Sequence, residues 1–263
     1  MARIIAIVNQ KGGVGKTTTA INLGASLAAA DVSVLLVDFD PQGNATSGVG
    51  IDKDEAPFSV YDLINGRCRT EDAITTTALH RLQLLPANRD LTGATVELLQ
   101  EPERIYQLRD VLRPLRSDFD FILVDCPPSL GILTLNALAA ADSLLIPIQC
   151  EYFALEGLSE LLRTMERVQA DINPGLEIEG VLLTMYDERL NLSGQIQSDV
   201  REHLNDVVFD TVIPRNVRLA ESPSFGKPVL LYDARSSGAN AYLALAREFL
   251  ARCGQKLLKV NAP

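Results

Sequence analysis

Two lysines, five residues apart in a glycine-rich stretch, are the first residues whose types and spacing suggest chemistry. The run VNQKGGVGKTTTA (8–20) ends in Gly15-Lys16-Thr17, the right-hand end of a phosphate-binding loop. The common form, G-x-x-x-x-G-K-[ST], needs a glycine at position 10, where this chain has Gln10. A second lysine, Lys11, stands in the loop instead, followed by Gly12 and Gly13. Glycines let backbone N–H groups approach phosphate oxygens closely, and the N-terminus of a following helix adds its positive end. Lys16 supplies a mobile cation for the β- and γ-phosphates, and the Thr17 hydroxyl is suited to hold Mg²⁺. A chance G-K-[ST] is common. G-G-x-G-K-T-T between an apolar strand and a helix is far more specific. The predicted nucleotide-binding residues of this loop are Lys11, Gly12, Gly13, Val14, Gly15, Lys16, Thr17 and Thr18.

Two further stretches carry carboxylates to the ends of predicted strands. VDFDPQGN (37–44) holds Asp38 and Asp40, which alternate and would point to one side if the strand continued. Asp40 is the better candidate to face an attacking water or a metal shell, and a pair of turn-forming carboxylates before Pro41 is the bland alternative. FILVDCPPSLG (121–131) is an apolar run ending in Asp125, the Walker-B pattern, in which a strand-tip carboxylate binds Mg²⁺ through water. Pro127, Pro128 and Gly131 then make a loop able to sense a γ-phosphate. The predicted metal-binding residues are Thr17, Asp40 and Asp125, and the predicted catalytic residues are Lys11, Lys16 and Asp40.

The elements that must position these residues follow from hydropathy. Segments 3–8, 32–38, 82–87, 119–125, 143–148, 177–185 and 207–213 read as strands, near-continuous apolar runs of the kind found in a parallel sheet covered on both faces. Helical patterns lie between them: 17–30, 155–168 with Leu155, Leu158, Leu161, Leu162, Met165 and Val168 at helical spacing, and 238–253. The helical stripe is better read as core than as an exposed partner face. Segment 41–75 is the least regular and is expected to hold loops and short helices. Strands alternating with helices predict an α/β fold, a doubly wound and mostly parallel sheet flanked by helices, whose ligand lies beyond the carboxyl ends of the strands. At 263 residues, with no evident linker, residues 1–263 are expected to form a single domain.

Composition narrows the function. With 24 Lys and Arg against 34 Asp and Glu the net charge is −10, which argues against a general nucleic-acid binder unless basic residues cluster locally. The four cysteines are scattered with no C-x-x-C, and two histidines cannot complete a zinc site, so reduced thiols are expected. The short apolar run at the N-terminus cannot serve as a signal segment or a span, and no later run reaches membrane length. A cytoplasmic protein is the expectation.

KGGVGKTTT, DFDPQGN and DCPPSLG together resemble the three signature boxes of the ParA/Soj chromosome- and plasmid-partitioning ATPases, within the deviant-Walker-A group that also holds MinD and the nitrogenase iron protein. PIQCEYFALEGLSEL (147–161) and PRNVRLAESPSFGKPV (214–229) resemble two further boxes of the family, so the similarity spans most of the chain. The chain begins at the first predicted strand and so resembles the short, chromosomal type without an N-terminal DNA-reading extension. The resemblance implies a P-loop NTPase fold, ATP and Mg²⁺ as cofactors, weak hydrolysis stimulated by a ParB-type centromere-binding partner, and an ATP-dependent homodimer. It implies that Lys11 crosses to the nucleotide of a facing subunit, acting as an arginine finger does on charge developing at the transferred phosphoryl group. It places the adenine near IPRN, at Pro214, Arg215 and Asn216.

The branches of the family differ in what the switch acts on. An iron–sulfur reductase needs paired cysteines that Cys126 and Cys150 do not supply. A MinD-like protein ends in a basic amphipathic helix that binds membranes, whereas KLLKV (256–260) is short and interrupted upstream by Gly254, so a membrane role is the alternative and not the expectation. For DNA, residues 213–252 carry six basic residues against three acidic ones, and Arg189 and Arg218 match positions resembling the family's DNA-contacting arginines. Such contacts would go to phosphates of nonspecific double-stranded DNA and would be salt-sensitive. The resemblance thus implies a nucleoid-associated switch that moves or positions chromosome or plasmid DNA.

Overall fold

The protein structure, a computed structural model, describes residues 1–263 apart from Glu101, Phe153 and residues 261–263. Its framework is a seven-stranded sheet in the order β3-β4-β2-β5-β1-β6-β7 among the described residues. The strands are β1 (Arg3–Ile7), β2 (Val34–Asp38), β3 (Thr75–Thr76), β4 (Leu82–Leu85), β5 (Phe121–Asp125), β6 (Ser143–Gln149) and β7 (Glu177–Thr184). All neighbours pair in parallel except β3, which runs antiparallel to β4 at the edge. The predicted doubly wound sheet is the observed one.

Each central strand is apolar along its middle because both its faces are covered. Ile4, Ala6 and Val8 of the first strand and its exit belong to one core cluster, while Ile5 and Ile7 belong to the other. The helices are α1 (Lys16–Ala29), α2 (Asn44–Gly48), α3 (Val60–Ile64), α4 (Thr70–Ala73), α5 (Leu91–Gln100), α6 (Gln107–Leu112), α7 (Ile132–Ala140), α8 (Ala154–Asp171), α9 (Asn191–Leu204), α10 (Val217–Glu221), α11 (Val229–Tyr232) and α12 (Ser237–Val260). One face is covered by α1 against α12, with Leu23, Leu27, Tyr242 and Phe249 buried between them and the sheet. The other takes the stripe of α8, whose Leu158, Leu161, Met165 and Val168 are buried, as a core face requires. The irregular segment 41–75 holds three short helices, as expected.

Two readings of the sequence need correction. Residues 207–213 are not a strand but a 3-10 turn (Asn205–Val207) followed by isolated bridges, Val208 to Val181 and Pro214 to Tyr186. Val208, Phe209 and Ile213 bury their side chains like strand residues, yet the N–H groups of Asp210 and Thr211 donate to the Glu248 carboxylate of α12, at 2.7 and 2.8 Å. Those donors are therefore lost to a ladder. The last helix is also longer than predicted, since α12 continues through Gly254 to Val260; Asn261–Pro263 of the sequence tail lie outside the described residues. No helix among the described residues is long and apolar enough to cross a membrane.

Segment 217–232 rests on the two helices that leave the phosphate-loop side of the sheet. The Asn22 side-chain oxygen on α1 accepts the Val229 N–H at 2.7 Å. Beside it, Gly50 and Gly226, both with positive φ (90° and 60°), touch backbone to backbone. A Cβ on Gly226 would lie 2.8 Å from the Gly50 Cα, so only glycine fits there.

Candidate functional site

The site lies at the carboxyl ends of the strands, as open α/β sheets place it. β1 delivers the loop 8–15, which turns directly into α1. Gly15 makes that turn with φ 89°, a left-handed conformation that a side chain would strain, and its carbonyl accepts the first helical N–H from Thr19 at 2.8 Å. The remaining N–H groups at the start of α1 face a cavity of about 260 Å³ lined by Gly12, Gly13, Lys16, Thr17, Asp40 and Asn44. A ring of backbone donors, a lysine and a hydroxyl make this a basin for a polyanion.

Next to the basin is a second cavity of about 270 Å³, lined by Ile213, Pro214, Asn216, Leu219 and Tyr242 and more apolar in character. Gly15, Thr18 and Met185 line both, so the two are compartments of one site. The bridge between Tyr186 and Pro214 joins their walls, and the Arg215 N–H donates to the Tyr186 carbonyl at 3.0 Å. Asn216 borders the apolar compartment, but its side chain is engaged as the cap of α10. Its oxygen accepts the Arg218 N–H at 2.9 Å, and its amide donates to Ser237 Oγ at 2.7 Å.

The lysines face different partners. Lys16 is buried, lines the basin and donates to the Lys11 carbonyl at 3.0 Å. Burial pulls its ammonium below the ordinary value, and the neighbouring charges of Asp125, Cys126 and Asp40 oppose that pull. Lys11 does not line the basin. It is ion-paired with Glu151, beyond the end of β6, while its neighbour Gln10 donates to Glu160 of α8.

The carboxylates also divide. Asp40 lines the basin, with Oδ1 accepting the Gln42 N–H at 3.0 Å. Asp38 is fully buried and tied to Thr46, accepting its N–H and its hydroxyl at 2.7 Å each. Burial pushes the Asp38 carboxyl up to about 6, against the pull of those hydrogen bonds. Asp38 thus braces the loop that carries Asp40. Asp125 sits beside Asp38 in the parallel register of β5 and β2. It is buried, and neither oxygen has a partner in hydrogen-bond geometry. Burial first, then the Asp38 charge, hold its carboxyl well above the ordinary range, while the nearby Thr17 hydroxyl and Lys16 oppose them.

A buried carboxylate without a hydrogen-bond partner, close to the Thr17 hydroxyl, is suited to hold a cation. No group of three or more His, Cys, Asp or Glu arranged to hold a metal occurs among the described residues. A cation here would rely on one or two carboxylates, a hydroxyl and the oxygens of a bound anion. That is the coordination habit of Mg²⁺ rather than of zinc or calcium.

Both arginines proposed for DNA are exposed and carry internal partners. Arg189 is clamped on Asp187 by two hydrogen bonds, at 2.8 and 2.6 Å, and Arg218 pairs with Glu221 at 2.8 Å and Asp233 at 3.3 Å. Four participants were not legible in the sequence: Asn9, Glu151, Thr184 and Met185. Met185 has φ 50° where the compartments meet, and its residue type gives no warning of it.

A family model described as an AAA domain matches residues 2–178. The chromosome partitioning protein ParA of Myxococcus xanthus is 56% identical over 252 residues, covering 96% of this chain and 89% of that protein. The sporulation initiation inhibitor protein Soj of Bacillus subtilis is 54% identical over 251 residues, covering 95% and 99%. Among solved structures, cobyrinic acid a,c-diamide synthase from Mycobacterium smegmatis, with bound ADP and magnesium, superposes with a TM-score of 0.82 at 41% identity over 94% of this chain and 93% of that one.

Proposed function

The chain belongs to the ParA/Soj family of chromosome-partitioning ATPases, and from that premise we propose that it is an ATP-driven dimer switch that grips and releases nonspecific DNA. ATP occupies the joined compartments, with adenine against Pro214, Arg215 and Asn216 and the phosphates over residues 11–18. Thr17, Asp40 and Asp125 are the residues that would hold Mg²⁺. Bound there, the ion would supply positive charge that offsets the phosphate chain. Lys16 neutralises the phosphate chain of its own subunit. Asp40, at the basin wall, orients the attacking water.

One observation carries the dimer reading. Lys11 sits in the phosphate loop but turns away from its own basin to pair with Glu151, while Lys16 fills the position beside the phosphates. A lysine held at the rim is placed to serve a facing subunit, where it would stabilise charge developing on the transferred phosphoryl group. Dimerisation doubles the basic residues on one face. Arg189 and Arg218 would then exchange their carboxylate partners for DNA phosphates, with strong salt dependence. A ParB-type protein with a basic segment is the partner expected to stimulate hydrolysis, and nucleoid association follows from the DNA contact.

The deciding experiment is co-sedimentation with nonspecific duplex DNA and with anionic liposomes, each with ATP, ADP or no nucleotide. DNA retention only with ATP, lost in Lys11→Ala, is the expected result. Liposome retention without DNA retention would replace this reading with a membrane-acting one.

A further inference from the structure

Thr184 ends β7, 170 residues from the phosphate loop in sequence, yet its buried hydroxyl donates to the Val14 carbonyl at 2.8 Å. A Cβ placed on Gly15 would lie 3.8 Å from its Cγ2, so the methyl group also sits beside Gly15. We propose that Thr184 is a positioning residue for hydrolysis: by holding the Val14 carbonyl, it aims the Gly15 N–H at the bound phosphates. The inference rests on the reading of the basin as the phosphate site.

The argument is geometric. A trans peptide is planar, with its C=O and N–H pointing to opposite edges. Fixing the Val14 oxygen toward β7 therefore turns the Gly15 N–H away from β7, and Gly15 lines the basin. Nothing in Gly15 itself fixes that orientation, because a glycine at φ 89° is the residue type that most readily lets a peptide plane rotate. The hydroxyl supplies the constraint that the glycine gives up.

A second tether acts at the start of the loop. The Asn9 side chain accepts the Lys11 N–H at 2.9 Å and donates to the Pro147 carbonyl on β6 at 2.8 Å. The loop thus hangs between the tips of β6 and β7, and the β7 end sets the peptide nearest α1. The Thr184 backbone is anchored in turn, since its carbonyl accepts the Cys150 N–H at 3.3 Å.

Thr184 also borders the apolar compartment, so its test must separate phosphate from base. Thr184→Val keeps the shape and loses the hydroxyl; Thr184→Ser keeps the hydroxyl. Binding of AMP and of ADP with Mg²⁺ is measured for each by displacement of a fluorescent nucleotide, alongside kcat and KM for ATP and the melting temperature without nucleotide. In Thr184→Val, AMP affinity is expected to stay within about twofold while ADP affinity falls roughly tenfold, with kcat falling as well. Thr184→Ser retains the wild-type ratio of ADP to AMP affinity. Equal loss of AMP and ADP, or no change in either, overturns the inference. If Thr184→Val fails to fold, the serine variant decides, because losing the ratio with the hydroxyl present contradicts the assignment. Failure of the wild-type protein to prefer ADP over AMP would instead strike the phosphate reading of the basin.

Discussion

Replacing Glu151 by Gln removes the charge that holds Lys11 at the rim while leaving the side chain's size unchanged. In the proposed switch each Lys11 must leave Glu151 before it can reach the opposite subunit, so the ion pair opposes dimerisation. Its strength follows from exposure. The Lys11 side chain is 43% exposed and that of Glu151 30%, which puts the pair among partly solvated surface ion pairs worth about 0.5–1 kcal/mol. A symmetric dimer breaks two of them, about 1–2 kcal/mol in all, equivalent to roughly a 5- to 30-fold tighter dimer in Glu151→Gln. The assay is the dimer dissociation constant by sedimentation velocity with a nonhydrolysable ATP analogue, at low and moderate salt. The gain should shrink as salt rises, because the lost pair is screened in the wild type too. Lys11→Ala in the same assay should dimerise poorly whether or not Glu151 is present. An unchanged or weaker dimer in Glu151→Gln refutes the view that this contact restrains Lys11, and tight dimers of the double variant refute the role given to Lys11 itself.

Two other outcomes are expected. Asp125→Asn should raise the stability of the nucleotide-free protein by about 1–2 kcal/mol while abolishing the Mg²⁺-dependent part of nucleotide binding, because it relieves a buried carboxylate that has no hydrogen-bond partner. Since the native Asp125 carboxyl is held above its ordinary range, the folded protein binds its proton more tightly than the unfolded chain. The wild type is therefore penalised increasingly as pH rises from about 4, and the advantage of the variant in denaturant melts should widen in that direction. Asp187, by contrast, is held down to about 2, chiefly by the Arg189 hydrogen bonds. What it adds to stability is present above about pH 4 and lost toward pH 2, and Arg189→Ala should raise its carboxyl toward, but not to, the ordinary range in a carbon-detected NMR titration, since the backbone N–H at 189 still donates to it. Bound DNA should move it the same way if Arg189 is handed to a phosphate.

The phosphate basin was legible because its chemistry is carried by contiguous residues: a glycine turn, a lysine and a hydroxyl must follow one another to start a helix under an anion. The sheet was legible because burial on both faces leaves the middle of each strand apolar. Legibility failed where partners are distant. Segment 207–213 has the side chains of a strand, and Glu248, some forty residues on, diverts the N–H groups of Asp210 and Thr211. β3 is two threonines at an edge, too short to leave a pattern. Asn9 and Thr184 shape the loop through single hydrogen bonds to strands far away in sequence, and an ordinary asparagine or threonine carries no mark of such a bond. Asn216 borders the apolar compartment, but its side chain is occupied in capping α10, a role that a short loop motif does not reveal.

The contact between Gly50 and Gly226 sets a rule for engineering. The surface segment bearing Arg218 buries Leu219 in the core and is held near its C-terminal end at two close points: the Val229 N–H hangs on Asn22 of α1, and Gly226 is pressed into the backbone after α2. Both supports are continuations of loops that border the basin. Transplanting residues 217–229 from a relative would import charges without their placement unless position 22 and the stretch 47–50 travelled with them. An exchangeable module here is thus discontinuous, three pieces of chain joined by one amide oxygen and by two residues that have no side chain.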